Sequence, residues 1–189
     1  QAAIDRYNDN EEMNRVLAEA VTPMTGKEEL GAMMTDALTA MSGVDIAFQN
    51  IGGIRIPSLP AGNIHYRDIY RLDPFGNQVV VFKMTPSEIK SLVVNAYNRN
   101  KEPDLMVSGM TYTALVNGDG VCVDVEMKGL DGQPLDPDKT YKVGMNSYIS
   151  ASYTFNHADP GTVNYETNAQ TLISYLQKVK KVDYQGTRR

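Results

Sequence analysis

The chain has 189 residues, 42% apolar and 22% charged, which suits one well-buried domain and excludes a disordered segment. Its formal net charge of −5 excludes a broad basic surface of the kind that neutralises nucleic-acid phosphates; the longest basic run, Lys178 to Lys181, is interrupted by Val179 and reads as a solvated helix face. No apolar run approaches the roughly 18 residues of a membrane-spanning helix, and the single cysteine, Cys122, permits neither an internal disulfide nor a cysteine metal cluster.

The first residue is Gln, and the polar stretch from Gln1 to Glu12 reads as a tether remaining after removal of an export signal, ahead of a single domain over residues 13–189. Met13, Val16, Leu17, Ala20 and Val21 recur at helical spacing and predict a helix. A second helix is predicted from Leu30, Met33, Met34, Ala37, Leu38 and Met41, opened by a Thr25–Glu28 capping box and closed by Gly43. Val44 to Phe48 reads as a strand that breaks at Gly52-Gly53. Gln78 to Met84 reads as a strand buried on both faces. Thr85-Pro86-Ser87-Glu88 starts a helix that carries Ile89, Leu92, Val93, Ala96 and Tyr97 and stops near Asn100. Met106 to Val116 and Val121 to Met127 flank Asn117-Gly118-Asp119-Gly120 as a hairpin. In its second arm Val121, Val123, Val125 and Met127 should be buried, which leaves Cys122 on the wet face. Tyr141 to Ile149 reads as a strand and Ala169 to Val179 as a last helix. Helices mixed with hairpins make an α+β domain.

Three segments have the composition of a binding site. In Asn50-Ile51-Gly52-Gly53-Ile54-Arg55, Gly52 and Gly53 let backbone N–H groups approach an anion, and Arg55 supplies a forked donor for phosphate or carboxylate. The competing reading is a plain turn beside a solvated arginine. Asp73-Pro74-Phe75-Gly76-Asn77 reads as a turn whose Phe75 plugs the core. Asn146-Ser147-Tyr148-Ile149-Ser150, running into Tyr153 and Phe155, places aromatic rings that can stack on a flat base. The plainer alternative has Tyr148 in the core and Tyr153 exposed without a role. A two-metal hydrolytic centre needs several converging His and Asp ligands. Here there are only two histidines, His65 and His157. Asn156-His157 has neither an Asp-x-His element upstream nor paired histidines downstream, so no catalytic group and no metal ligand are assigned.

In order along the chain, these segments resemble the C-terminal domain of 5′-nucleotidases and UDP-sugar hydrolases. Glu28-Glu29-Leu30-Gly31 with Asp36-Ala37-Leu38 is similar to the family's helix motif, and Asn50 to Arg55 to its Asn-Gly-Gly-Gly-Ile-Arg. Gly62-Asn63-Ile64, Pro74-Phe75-Gly76-Asn77, Val107-Ser108-Gly109 and Tyr141-Lys142-Val143 with Asn146 continue the series. The resemblance runs from about Glu28 to Asp183. It implies a layered α/β/β/α domain with mixed sheets that grips a nucleotide or nucleotide-sugar. Arginines hold the phosphate, two rings sandwich the base, and a separate metallophosphatase carries two divalent metal ions. It also implies an exported, periplasmic or envelope-associated chain, of which a lipoprotein is one form. Arg55 matches the motif arginine, and Gly52, Gly53 and Asn146 match their motif positions.

There are departures. Ile51 replaces the first glycine of the loop. The ring expected before Val-Ser-Gly falls at Asp104 or Leu105, neither of which can stack. The glycine-rich aromatic loop is replaced by Ala151-Ser152-Tyr153-Thr154-Phe155, where Phe155, with Tyr153 nearby, stands in for the second ring. Three readings stay open: a stand-alone recognition domain without its own chemistry, a degenerate interaction or scaffold domain that has lost the nucleotide, and a fragment of a two-domain enzyme.

Overall fold

The computed structural model describes residues 11–188, so nearly all of the tether read at 1–12 lies outside the described residues. The helix expected around Met13 to Val21 is instead a strand, β1 (Val16–Ala20). It pairs parallel with β10 (Lys181–Val182) and antiparallel with β3 (Gly62–His65). Five residues of V-L-A-E-A fit either periodicity, and partners distant in sequence decide between them. Val16 and Val21, two members of the supposed helical stripe, are about half exposed.

The second helix, α1 (Lys27–Ser42), ends at Gly43 with φ 64°, the left-handed conformation that suits glycine. Its start differs from the expected box: Gly26 is the N-cap, and Thr25 donates its backbone N–H to Glu29 Oε2 at 2.6 Å, one residue beyond Glu28. The N–H groups of Gly186 and Thr25 hold the Glu29 carboxyl below the usual carboxylate range.

β2 (Ile46–Asn50), β4 (Gln78–Met84), β5 (Leu105–Ser108), β8 (Tyr141–Asn146) and β9 (Thr162–Thr167) form a five-stranded mixed sheet in the order β5-β2-β8-β4-β9. Alternation along the strands divides two cores. Ile46, Phe48, Val80, Phe82, Leu105, Val107, Val143 and Met145 face α3 (Pro86–Asn100) and a two-stranded hairpin. Ala47, Val79 and Met106 face α1 on the other side. Beyond α1, the core continues through α2 (Tyr66–Leu72) and the last helix to β1 and β3. Helices layered with mixed sheets are the α+β architecture expected from the resemblance.

The hairpin is β6 (Met110–Val116) and β7 (Cys122–Gly129), and Gly109 separates it from β5. Gly109 has φ +85°, and a Cβ there would lie 1.9 Å from Asp45 O, so the single long strand expected from Met106 must break. A bulge between Leu115 and Val116 shifts the register, pairing Val116 with Cys122 and Leu115 with Asp124. The expected faces of this arm are therefore exchanged at its start: Cys122 is buried, its thiol pushed up by that burial, and Val123 is 62% exposed. The strand expected to reach Ile149 stops at Asn146, whose side chain accepts the Ile149 N–H at 2.9 Å and opens the short α4 (Ser147–Ser152). The last helix, α5 (Asn168–Val179), buries Leu172, Ile173 and Leu176 as its stripe requires.

Candidate functional site

The C-terminal ends of the parallel neighbours β2 and β8 and the beginning of antiparallel β4 meet at one end of the five-stranded sheet. From β2 the chain turns through a short 3₁₀ segment, Ile51–Gly53, and the Arg55 N–H donates to Leu72 O at 3.0 Å. That bond ties the turn to the end of α2, directly before Pro74-Phe75-Gly76-Asn77. From β8 the chain enters α4, which carries Tyr148 in its first turn. Together these segments enclose a cavity of about 420 Å³, lined by Asn50, Gly52, Gly53 and Arg55 on one side and by Phe75, Asn77 and Tyr148 on the other.

Two aromatic rings face this cavity: Tyr148, from the segment whose rings the sequence suggested could stack on a base, and Phe75, which the sequence did not place here. Phe75, expected to plug the core, is 52% exposed, and Tyr148 is 46% exposed. Exposed rings of this size carry an unspent apolar face. The turn at Gly76, with φ 64°, projects Phe75 outward rather than under the sheet. The Arg55 guanidinium carbon lies 5.6 Å from the Phe75 ring centroid, and Arg55 forms no ion pair among the described residues. An exposed cation–π contact contributes only about 0.5–1 kcal/mol, so an arriving anion readily draws the guanidinium away.

Tyr153 and Phe155 lie elsewhere. The Tyr153 hydroxyl donates to the Asp104 carboxylate, and Arg99 sits over the ring at 4.1 Å. Burial and the neighbouring Asp104 both push the phenol up. Asp104, which stands where the resemblance expects a ring, is thus a buried partner for Tyr153. Phe155 stacks edge-on to Phe82, 5.5 Å between centroids, and tilts against His157 at 4.9 Å. Of the six residues singled out from sequence, then, Gly52, Gly53 and Arg55 line the cavity. Asn146 stands behind it, donating through Nδ2 to Asn50 Oδ1 at 2.9 Å. Tyr153 and Phe155 belong to a packed cluster behind the cavity, where the Tyr153 ring meets Tyr148 edge-on at 6.2 Å between centroids.

Asp73 lies beneath the Phe75 turn, 3% exposed, and accepts a long 3.5 Å bond from the Phe75 N–H. Burial pushes its carboxyl up to about 6. The histidines have local duties: His65 caps α2 together with Asp68, and His157 Nδ1 meets Asp159 O at 2.7 Å. Among the described residues, no group of three or more His, Cys, Asp or Glu is arranged to hold a metal ion. A larger groove of about 690 Å³ lies between the start of α3 and β7, but its Lys90 and Asp124 already pair at 2.7 Å. It offers a ligand no unpaired arginine and no exposed ring.

A sheet-end cavity combining a glycine turn, an unpaired arginine and two exposed rings has the layout of a small-anion and flat-ring recognition site. The chain belongs to the 5′-nucleotidase, C-terminal domain family, whose sequence model matches residues 11–157. It is 32% identical over 146 residues to protein UshA of Escherichia coli, a match covering 75% of this chain and 26% of that protein. It is 28% identical over 179 residues to endonuclease YhcR of Bacillus subtilis, covering 90% of this chain and 14% of YhcR. The crystal structure of a 5′-nucleotidase precursor from Thermus thermophilus superposes with a TM-score of 0.76 at 29% identity, covering 96% of this chain and 40% of that one. The chain therefore spans roughly a quarter or less of these two curated relatives.

Proposed function

We propose that this chain is a nucleotide-recognition domain that performs no hydrolysis by itself. The observation that carries the reading is the placement of Phe75 and Tyr148, both exposed, with Arg55 around one cavity of about 420 Å³. A purine or pyrimidine stacks against the rings, and Arg55 leaves Phe75 to take the phosphate. Base–aromatic stacking contributes about 1–3 kcal/mol per base and tolerates different bases. AMP, ADP and UDP-glucose are therefore all suitable probes. Hydrolysis would fall to a separate metallophosphatase carrying two divalent ions, which would place the chain in nucleotide catabolism. The same resemblance carries a periplasmic or envelope location. None of the helices among the described residues is long and apolar enough to cross a membrane.

Titration calorimetry with AMP tests the reading: binding that falls at least tenfold in Arg55→Ala supports it, and no heat with any of the three probes overturns it. The second reading, a scaffold domain that has lost the nucleotide, draws on Ile51, whose side chain occupies a turn that the family keeps bare, and on the packing-away of Tyr153 and Phe155.

A further inference from the structure

Behind the cavity wall lie four buried side-chain amides: Gln49 at 1%, Asn50 at 4%, Asn146 at 2% and Asn168 at 5% exposure. Such groups are costly unless paired, so their arrangement is informative. Asn146 Nδ2 donates to Asn50 Oδ1 at 2.9 Å and, more weakly, to Gln49 Oε1 at 3.4 Å. Asn168 Nδ2 donates to the same Gln49 Oε1 at 3.3 Å. Gln49 Nε2 in turn donates to Asn50 O at 3.2 Å and approaches Asn50 Oδ1 at 3.4 Å. Each donation in this chain leads toward Asn50.

The consequence falls on the cavity. Asn50 Oδ1 is turned inward and taken twice, whereas Asn50 Nδ2 has no hydrogen-bond partner among the described residues. A Cβ built on Gly52, which lines the cavity, would lie 3.6 Å from that nitrogen, so the NH₂ group points to the cavity side. A Cβ on Gly53 would come within 2.4 Å of Gln49 Nε2 and 2.9 Å of Asn50 Oδ1. Gly53 thus leaves room for the amides rather than for the ligand. Asn168 ties the far wall into the same frame, since its backbone N–H donates to Asn77 O at 2.8 Å.

We infer that Asn146, with Gln49 and Asn168 behind it, is a positioning residue that fixes the Asn50 amide with its NH₂ toward the cavity, making the site selective for a hydrogen-bond acceptor on the nucleobase edge. The ligand half of this inference rests on the nucleotide reading; the amide orientation does not. Asn146→Asp is the sharpest test, because an aspartate caps α4 as well as asparagine does while replacing the donor that faces Asn50 Oδ1 with an acceptor. The Asn50 amide must then turn over, donate its NH₂ to the introduced carboxylate, and show its carbonyl to the ligand.

Two arms keep the orientation and the ligand apart. In the free protein, side-chain amide hydrogen exchange by NMR should show the Asn50 NH₂ exchanging much faster than those of Asn146 and Asn168, and slowing in Asn146→Asp. With ligand, one of 1-deaza-, 3-deaza- and 7-deaza-AMP should bind about tenfold more weakly than AMP, and Asn146→Asp should erase that difference. Should Asn146→Asp fail to fold, Gln49→Met removes the second anchor and should narrow both contrasts without inverting them. Equal protection of the three amides in the wild type overturns the inference. So does a variant that weakens AMP and every analogue by one common factor, which is what a merely structural role would do. If the exchange pattern reverses but nothing binds, the orientation stands and the nucleotide reading is what fails.

Discussion

Two aromatic groups sit near opposite ends of the α4 segment and are used in opposite ways. Tyr153 turns into the protein, where Asp104 takes its hydroxyl and Arg99 covers its ring, and the partly buried Phe155 and exposed His157 pack on Phe82. Phe75 and Tyr148 stay half exposed around a cavity, with Arg55 against the one and the edge of Tyr153 against the other. A ring packed by its neighbours has already given up its apolar surface, whereas an exposed ring beside an unpaired cation retains it for a ligand. Of the rings that the sequence suggested could stack on a base, Tyr153 and Phe155 thus serve stability, whereas Tyr148 lines the cavity together with Phe75, which read as a core plug.

The widest separation between the groups should appear in stability. Phe82→Ala removes the ring on which Phe155 and His157 rest; at 2% exposure it should cost about 3–5 kcal/mol, seen as a lower urea midpoint, with AMP affinity of the folded protein unchanged. Phe75→Ala should do the reverse. Its stability should stay within about 1 kcal/mol of the wild type, while calorimetry shows AMP affinity falling by about 1–3 kcal/mol.

Asp73 adds a pH dependence on the cavity side. Its folded carboxyl titrates at about 6 against an ordinary value of 3.8. The folded state therefore holds the proton more tightly than the unfolded chain does. The favourable contribution is full below the unfolded value and disappears as pH rises through about 6. At neutral pH, Asp73→Asn should be more stable than the wild type by up to about 3 kcal/mol, and denaturant midpoints measured between about pH 4 and 7 should show a flatter profile for the variant. A slope that survives the substitution would place the titrating group elsewhere. A smaller loss of stability than that of Phe82→Ala should come from Tyr153→Phe, which leaves the Asp104 carboxylate without its phenol donor: about 1–3 kcal/mol, with no change in AMP binding.

The parts legible in sequence were those fixed by local chemistry. Thr85, Pro86 and Glu88 specify the start of α3 within four residues, and the Thr85 hydroxyl accepts the Glu88 N–H as that pattern requires. Gly43 ends α1 for the same kind of local reason. Gly52, Gly53 and Arg55 could be singled out because adjacent glycines and a forked cation have a meaning wherever they fall. β1 could not, because its strand character depends on Lys181 and Val182 from the far end of the chain. Nor could the burial of Cys122, which the register shift that leaves its neighbour Val123 unpaired decides. Phe75 and Tyr148 are the same problem at the site: an aromatic side chain has no sequence mark for exposure, which is set by the turn at Gly76 and by the end of β8 at Asn146.

The central claim is that the rings at 75 and 148, and not those at 153 and 155, hold the base. AMP titrations of Phe75→Ala and Phe155→Ala, run side by side on protein shown to be folded by its melting transition, test it most directly. We expect a loss of affinity of about 1–3 kcal/mol, roughly fivefold or more, in Phe75→Ala and less than a twofold change in Phe155→Ala. The opposite order, or an equal loss in both, would contradict it.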